Sequence, residues 1–174
     1  MTRYAAFLRA INLGSTNKIA MPALRALAEG LGFCVVRNFI NSGNLLFSAA
    51  GTDQAVAVAL EQAITDAFGL RIDVAVRTED ELRTLLADNP FPDGDPSQVT
   101  VAFLTRTPPP EAQERVAALA DDDEPFVFSG REVWVHYRGG QGTSKLAAQF
   151  NRAVGVSSTV RTLRTVTKVV DLLG

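Results

Sequence analysis

Cysteine, histidine and tryptophan each occur once in the 174 residues, and methionine and tyrosine twice each. A lone Cys34 excludes an intramolecular disulfide. A zinc site would have to combine Cys34, His136 and carboxylates, and no ligand spacing of the usual kind brings them together, so no metal is expected. Long apolar runs are also missing. A membrane helix needs about 20 consecutive apolar residues, whereas the first run, Tyr4 to Leu8, is broken at Arg9. That run is too short for the core of a signal peptide, and the expected location is the cytoplasm, with no membrane partner. Neither G-x-x-x-x-G-K-[ST] nor G-x-G-x-x-G occurs. His136 cannot be anchored to a Ser-His-Asp or Cys-His arrangement, and the carboxylates show no pairing that separates an acid from a base. No cofactor and no reaction can therefore be named, and whether the chain is an enzyme stays open.

Hydrophobic residues make up 47% and charged ones 21% of the chain, the balance of a globular protein. The formal net charge of -2 hides a block pattern. Residues 1–77 carry +2, residues 78–130 carry -9 and residues 131–174 carry +5. Such blocks arise from a binding face or from solvated helix faces. The length suits one good core or two small ones.

Hydrophobic periodicity and turn residues place the elements. Tyr4 to Ile11 reads as a strand ending in the turn formers Asn12 to Asn17. Pro22 opens a helix with Leu24, Leu27, Ala28 and Leu31 at helical spacing, and Gly32 closes it. Phe33 to Ile40 and Leu45 to Ser48 form a hairpin around Asn41-Ser42-Gly43-Asn44. A helix follows Thr52 and Asp53, with Val56, Leu60, Ile64 and Phe68 on one face, and Leu70 to Arg77 alternates as a strand. Thr78-Glu79-Asp80-Glu81 is a capping box for a further helix that stops at Asn89-Pro90. Phe91 to Ser97 is the candidate linker. The second half runs through a strand at Val99 to Leu104, a helix over Ala112 to Leu119 and a hairpin of Pro125 to Phe128 with Glu132 to Tyr137. It closes on a helix at Leu146 to Val154, a strand at Val156 to Arg161 and a terminal helix carrying Leu163, Val166, Val169, Val170 and Leu173. Asp121 to Glu124 reads as a solvated turn and Cys34 as a buried small residue.

The fold class is thus α+β, a tandem of two ferredoxin-like (βαββαβ) halves with an extra C-terminal helix. Residues 1–77 are the first half, 78–97 a connecting helix and linker, and 98–174 the second half with its terminal helix. The halves share a pattern of elements and no evident residue repeat.

The stretch Arg9-Ala10-Ile11-Asn12-Leu13-Gly14-Ser15-Thr16-Asn17-Lys18-Ile19 resembles the signature R-G-I-N-V-G-G-x-N-K-I of the bacterial family called domain of unknown function 1697. Asn41 to Asn44 resembles its S-G-N hairpin, Asn89-Pro90-Phe91 its N-P-F, and Arg161 to Lys168 its R-N-W-N-T-V-x-K. The resemblance implies a two-part α+β fold without assigning an activity. Ala10 and Ser15 stand where that signature has glycines, and Thr162, Leu163 and Arg164 replace Asn, Trp and Asn, while Arg161, Thr165 and Lys168 are kept.

Two loops carry the candidate chemistry. Arg9, Asn12, Gly14, Asn17 and Lys18 lie between a strand and a helix, where free N–H groups favour an anion; alternatively the two Asn side chains satisfy the loop's own backbone. Arg138 to Lys145 holds three glycines before Ser144 and Lys145, either a phosphate cradle or an ordinary N-capped connection. Ser42 and Asn44 from the hairpin, with Arg161, Thr165 and Lys168 from the basic end, complete the candidate ligand set. Arg9, Asn12 and Lys18 are expected to share a polar pocket with Ser42 or Asn44. The usual placing of the first loop and the hairpin turn at opposite ends of the sheet would require an unusual path.

The leading expectation is a binding protein for a small anionic ligand, a nucleotide or phosphorylated metabolite. A nucleic-acid module is the alternative, against which stand a pI near 5.4 and a single aromatic in Asn44 to Ser48. A protein-interaction module is a third class, with self-association through an open sheet edge.

Overall fold

The computed structural model describes residues 1–13, 15–40 and 43–174. The chain divides into two compact units, Met1–Ala87 with Lys168–Gly174, and Asp88–Thr167. The first holds β1 (Thr2–Leu8), α1 (Met21–Gly30), β2 (Cys34–Phe39), β3 (Asn44–Ala49), α2 (Asp53–Phe68), β4 (Val74–Thr78) and α3 (Glu79–Ala87). Its four strands form one antiparallel sheet in the order β2-β3-β1-β4.

Local chemistry explains the helices. Pro22 sits in the first turn of α1, whose Leu24 and Ala28 are buried. The Thr52 side chain accepts the Ala55 N–H to cap α2, and Gly69 at φ 68° ends it. Val56, Leu60 and Ile64 of α2 meet Tyr4, Ala6, Leu8, Leu45, Phe47, Val74 and Val76 in one core. Burying each of the Val, Leu, Ile and Phe side chains among them is worth about 1.5–3 kcal/mol. The capping box is present: Glu81 N donates to Thr78 Oγ1 at 3.1 Å, and Thr78 N to Glu81 Oε2 at 2.8 Å.

The second unit repeats the order with β5 (Val99–Leu104), α4 (Ala112–Leu119), β6 (Phe126–Ser129), β7 (Glu132–His136), α5 (Lys145–Val154) and β8 (Ser158–Thr162). Its sheet order is β6-β7-β5-β8, and a terminal helix, α6 (Leu163–Leu173), follows. Val116, Leu146, Phe150 and Val154 pack on Ala102, Leu104, Val133, Val135 and Tyr137. The α+β class is therefore realised as two four-stranded antiparallel sheets with β-α-β-β-α-β order and a C-terminal helix. Among the described residues no helix is long and apolar enough to cross a membrane.

Several local expectations are corrected. β1 ends at Leu8, because Ala10 and Asn12 adopt left-handed backbone at φ 54° and 55°. β4 starts at Val74 instead of Leu70. Cys34 is exposed, since β2 is an edge strand and a register shift between Cys34 and Arg37, with Val35 at φ 52°, bends it away from the core. In the acidic turn Asp121 to Asp123 are solvated, but Glu124 is buried, and its Oε1 accepts the Asp121 N–H at 3.0 Å. In the stretch between α3 and β5, where the sequence suggests a linker, the Phe91 ring lies 5.6 Å from that of His136, and a Cβ at Gly94 would come within 3.0 Å of the imidazole.

Candidate functional site

The first loop and the hairpin turn lie at one end of the sheet, not at opposite ends. β1 is antiparallel to β3, with Phe7 opposite Asn44, so the end of β1 lies beside the start of β3. Leu8 N donates to Gly43 O at 2.9 Å, and a Cβ at Gly43 would stand 2.9 Å from Ile11. The first loop and Gly43 are therefore neighbours by topology, with no unusual path.

The loop's polar groups are largely engaged by its own backbone. Asn12 Nδ2 donates to Ile19 O at 3.0 Å and Asn12 Oδ1 accepts from Ile19 N at 2.9 Å, closing the loop like a rung. Asn17 Nδ2 donates to Ala10 O at 3.3 Å. Arg9 is half-buried and Lys18 exposed. Asn44 is buried and donates to Phe39 O at 3.0 Å. Gly14 and Ser42 fall outside the described residues. The same sheet end carries acid: Arg9 N donates to Asp73 O, and Glu61 accepts the Val74 N–H. Burial foremost raises the Glu61 carboxyl above its usual range, and Asp73 adds to the rise.

In the second unit Ser144 is the N-cap of α5, accepting the Ala147 N–H at 3.1 Å, while Lys145 is exposed. Cβ atoms at Gly139 and Gly142 would meet nothing within 4 Å, so the glycine-rich turn is open. Thr162 Oγ1 accepts the Thr165 N–H at 3.3 Å and lies 3.3 Å from Thr165 Oγ1, and Lys168 is exposed. Arg161 donates to Val160 O at 3.1 Å, and burial lowers it to about 10. Among the described residues no group of three His, Cys, Asp or Glu could hold a metal. Burial first, then Arg138, lowers His136, with Asp95 opposing.

The face of the first sheet turned away from α1 and α2 brings together cations that sequence reasoning did not select. Cross-strand register places Arg37 opposite Leu46, Leu46 opposite Ala5 and Ala5 opposite Arg77, one rung with an arginine on each edge strand. The next rung pairs Ser48 with Arg3. Arg77, 1% exposed, donates to Val76 O at 2.9 Å. A cleft of about 280 Å³ opens on this face, lined by Arg3, Arg37, Ser48, Leu46, Val35 and Leu173 among others. The Arg37 side chain makes no hydrogen bond or ion pair among the described residues, whereas Arg3 Nη1 pairs with Glu79 Oε2 at 3.0 Å. Arg83 foremost, and Arg3 after it, hold Glu79 below the usual carboxylate range.

The corresponding rung of the second sheet is Val127, Trp134, Val101 and Arg161. Val76-Arg77-Thr78 and Val160-Arg161-Thr162 therefore stand at matching positions, each arginine bonding the carbonyl before it and each threonine capping the helix after it. That three-residue identity was the available signal of a repeat. Trp134 and Val127 stand where the first sheet has Leu46 and Arg37.

The family model described as "Protein of unknown function (DUF1697)" matches residues 1–134. The solved structure of the conserved bacterial protein SP0830 from Streptococcus pneumoniae superposes with a TM-score of 0.74 at 22% identity, covering 99% of each chain, a likeness of fold. No curated protein matches the chain.

Proposed function

We propose that this chain, which belongs to the DUF1697 family, binds a small anionic ligand in the cleft on the sheet face of its first unit that is turned away from α1 and α2. The reading rests on Arg37, a cation without an internal partner among the described residues, which lines the same 280 Å³ cleft as Arg3 and Ser48. A guanidinium offers several N–H donors in a fixed fork that suits oxyanions. Leu46 and Leu173 supply an apolar floor for the rest of a phosphorylated metabolite or nucleotide. The loop residues have a lesser part: Asn12 and Asn17 hold their own backbone, leaving Lys18 as an exposed cation that attracts anions at longer range.

A melting titration with inorganic phosphate and, separately, a nucleoside monophosphate tests the reading, because a ligand that binds only the native state raises its Tm. Phosphate should raise Tm, and Arg37→Ala should abolish the rise while leaving unliganded stability within about 0.5 kcal/mol, as for a surface change. An equal rise in the variant would place the anion elsewhere.

A further inference from the structure

Arg3 faces the cleft but is already held by an internal anion. Its Nη1 donates to Glu79 Oε2 at 3.0 Å, while Glu79 Oε1 accepts from Arg83 Nε at 3.0 Å and Nη2 at 2.7 Å. Glu79 is the first residue of α3, whose start the Thr78–Glu81 capping box fixes, and Arg83 one turn further on holds its carboxylate. Arg3 also lines a second cleft of about 390 Å³ with Thr78, Glu79 and Asp80, which puts its side chain in a wall common to both. The carboxylate that holds Arg3 thus lines only the second cleft, while the charged side chains lining the first are Arg3 and Arg37.

We propose that Glu79 is a built-in competitor for Arg3 that restricts the first cleft to dianions of the sulfate or phosphoryl type. This inference rests on the anion-binding reading above. A monoanionic carboxylate arriving at Arg3 merely replaces one carboxylate by another, so it gains nothing there and keeps only Arg37. A tetrahedral dianion brings a second charge and further acceptor oxygens, enough to engage both guanidiniums at once. Glu79 is therefore a specificity-determining residue that touches the ligand's partner and not the ligand. Arg83 is its counterweight: by occupying Oε1 it weakens the hold of Glu79 on Arg3.

The test is an NMR titration of the full chain with sulfate and with acetate at neutral pH and fixed ionic strength. Wild type should bind sulfate more tightly than acetate. Glu79→Gln should tighten acetate by about two- to fivefold, the scale of an exposed ion pair, and narrow the sulfate-to-acetate ratio. Arg83→Met should act in the opposite sense and weaken sulfate, since Glu79 is then left to Arg3 alone. General destabilisation would move both variants the same way, so opposite signs are specific to competition. Unchanged affinities in both variants, with sulfate binding still lost in Arg37→Ala, would overturn the role of Glu79 and leave the site standing. Absence of any sulfate response in wild type, or a response indifferent to Arg37→Ala, would remove the site and the inference together.

Discussion

Ala10 takes a left-handed conformation, φ 54°, at the position where the family signature resembled by this loop has glycine. An L side chain there is strained by roughly 1–2 kcal/mol, and glycine's extra unfolded-state freedom offsets about 0.5–1 kcal/mol of any relief. Ala10→Gly should therefore be neutral or stabilising by up to about 1 kcal/mol in urea unfolding. A clear loss would contradict the backbone conformation. His136 carries a second residue-scale expectation. It is 9% exposed beneath Phe91 and Gly94, and burial and Arg138 hold its folded pKa below the usual 6.5. Below that value the unfolded chain binds the proton more readily than the folded one, so this contribution destabilises as pH falls through 6.5 toward the folded pKa and levels off beneath it. Above 6.5 it is constant. His136 is the only histidine, so urea midpoints from pH 8 to 5 for wild type and His136→Gln should diverge only on the acid side. Parallel curves would show that the imidazole charges as easily folded as unfolded.

Elements form for local reasons, but their junctions depend on neighbours. Gly43 and Gly142 look alike as loop glycines and differ in structure. Gly43 has φ 84°, and an added Cβ would stand 2.9 Å from Ile11 and 3.0 Å from Leu8, whereas a Cβ at Gly142 would meet nothing within 4 Å. Gly43→Ala should lose about 2 kcal/mol or more through backbone strain and overpacking, and Gly142→Ala should stay within about 0.5 kcal/mol. Chemical denaturation of both variants checks the contrast; equal losses would mean that the glycine-rich turn before α5 is as constrained as the hairpin. β2 shows why alternation along a strand can mislead. Cys34 pairs with Ser48 and Arg37 with Leu46, three residues against two, so the bulge reverses parity within the strand. Counting by twos from Cys34 sends Arg37 to the wrong face. The same irregularity at an edge leaves Cys34 in solvent despite Phe33 and Val35 beside it.

At the scale of the molecule, the sequence by itself determined the order of elements in both halves, the capping box at Thr78, a cap for α2 at Thr52 or Asp53 and the stop at Gly69, while the structure fixed Thr52 and Ser144 as the caps and added the stop at Gly155. These depend on hydrophobic periodicity and on hydrogen bonds spanning only a few residues, information that is complete within a short window. It also exposed the loop motif around Asn12, with a ligand site and self-closure by the Asn amides as its two readings, and the Asn12–Ile19 bonds realise the second. Tertiary structure alone decided the rest. Arg3, Arg37 and Ser48 lie up to 45 residues apart in the chain and become neighbours only through the β1–β3 and β2–β3 registers. The Val-Arg-Thr repeat acquires meaning only when β4 and β8 are seen as matching edge strands. Register is chosen by the packing of a whole sheet against its helices, a long-range competition that no local pattern encodes, and the face on which a charged residue emerges is settled with it.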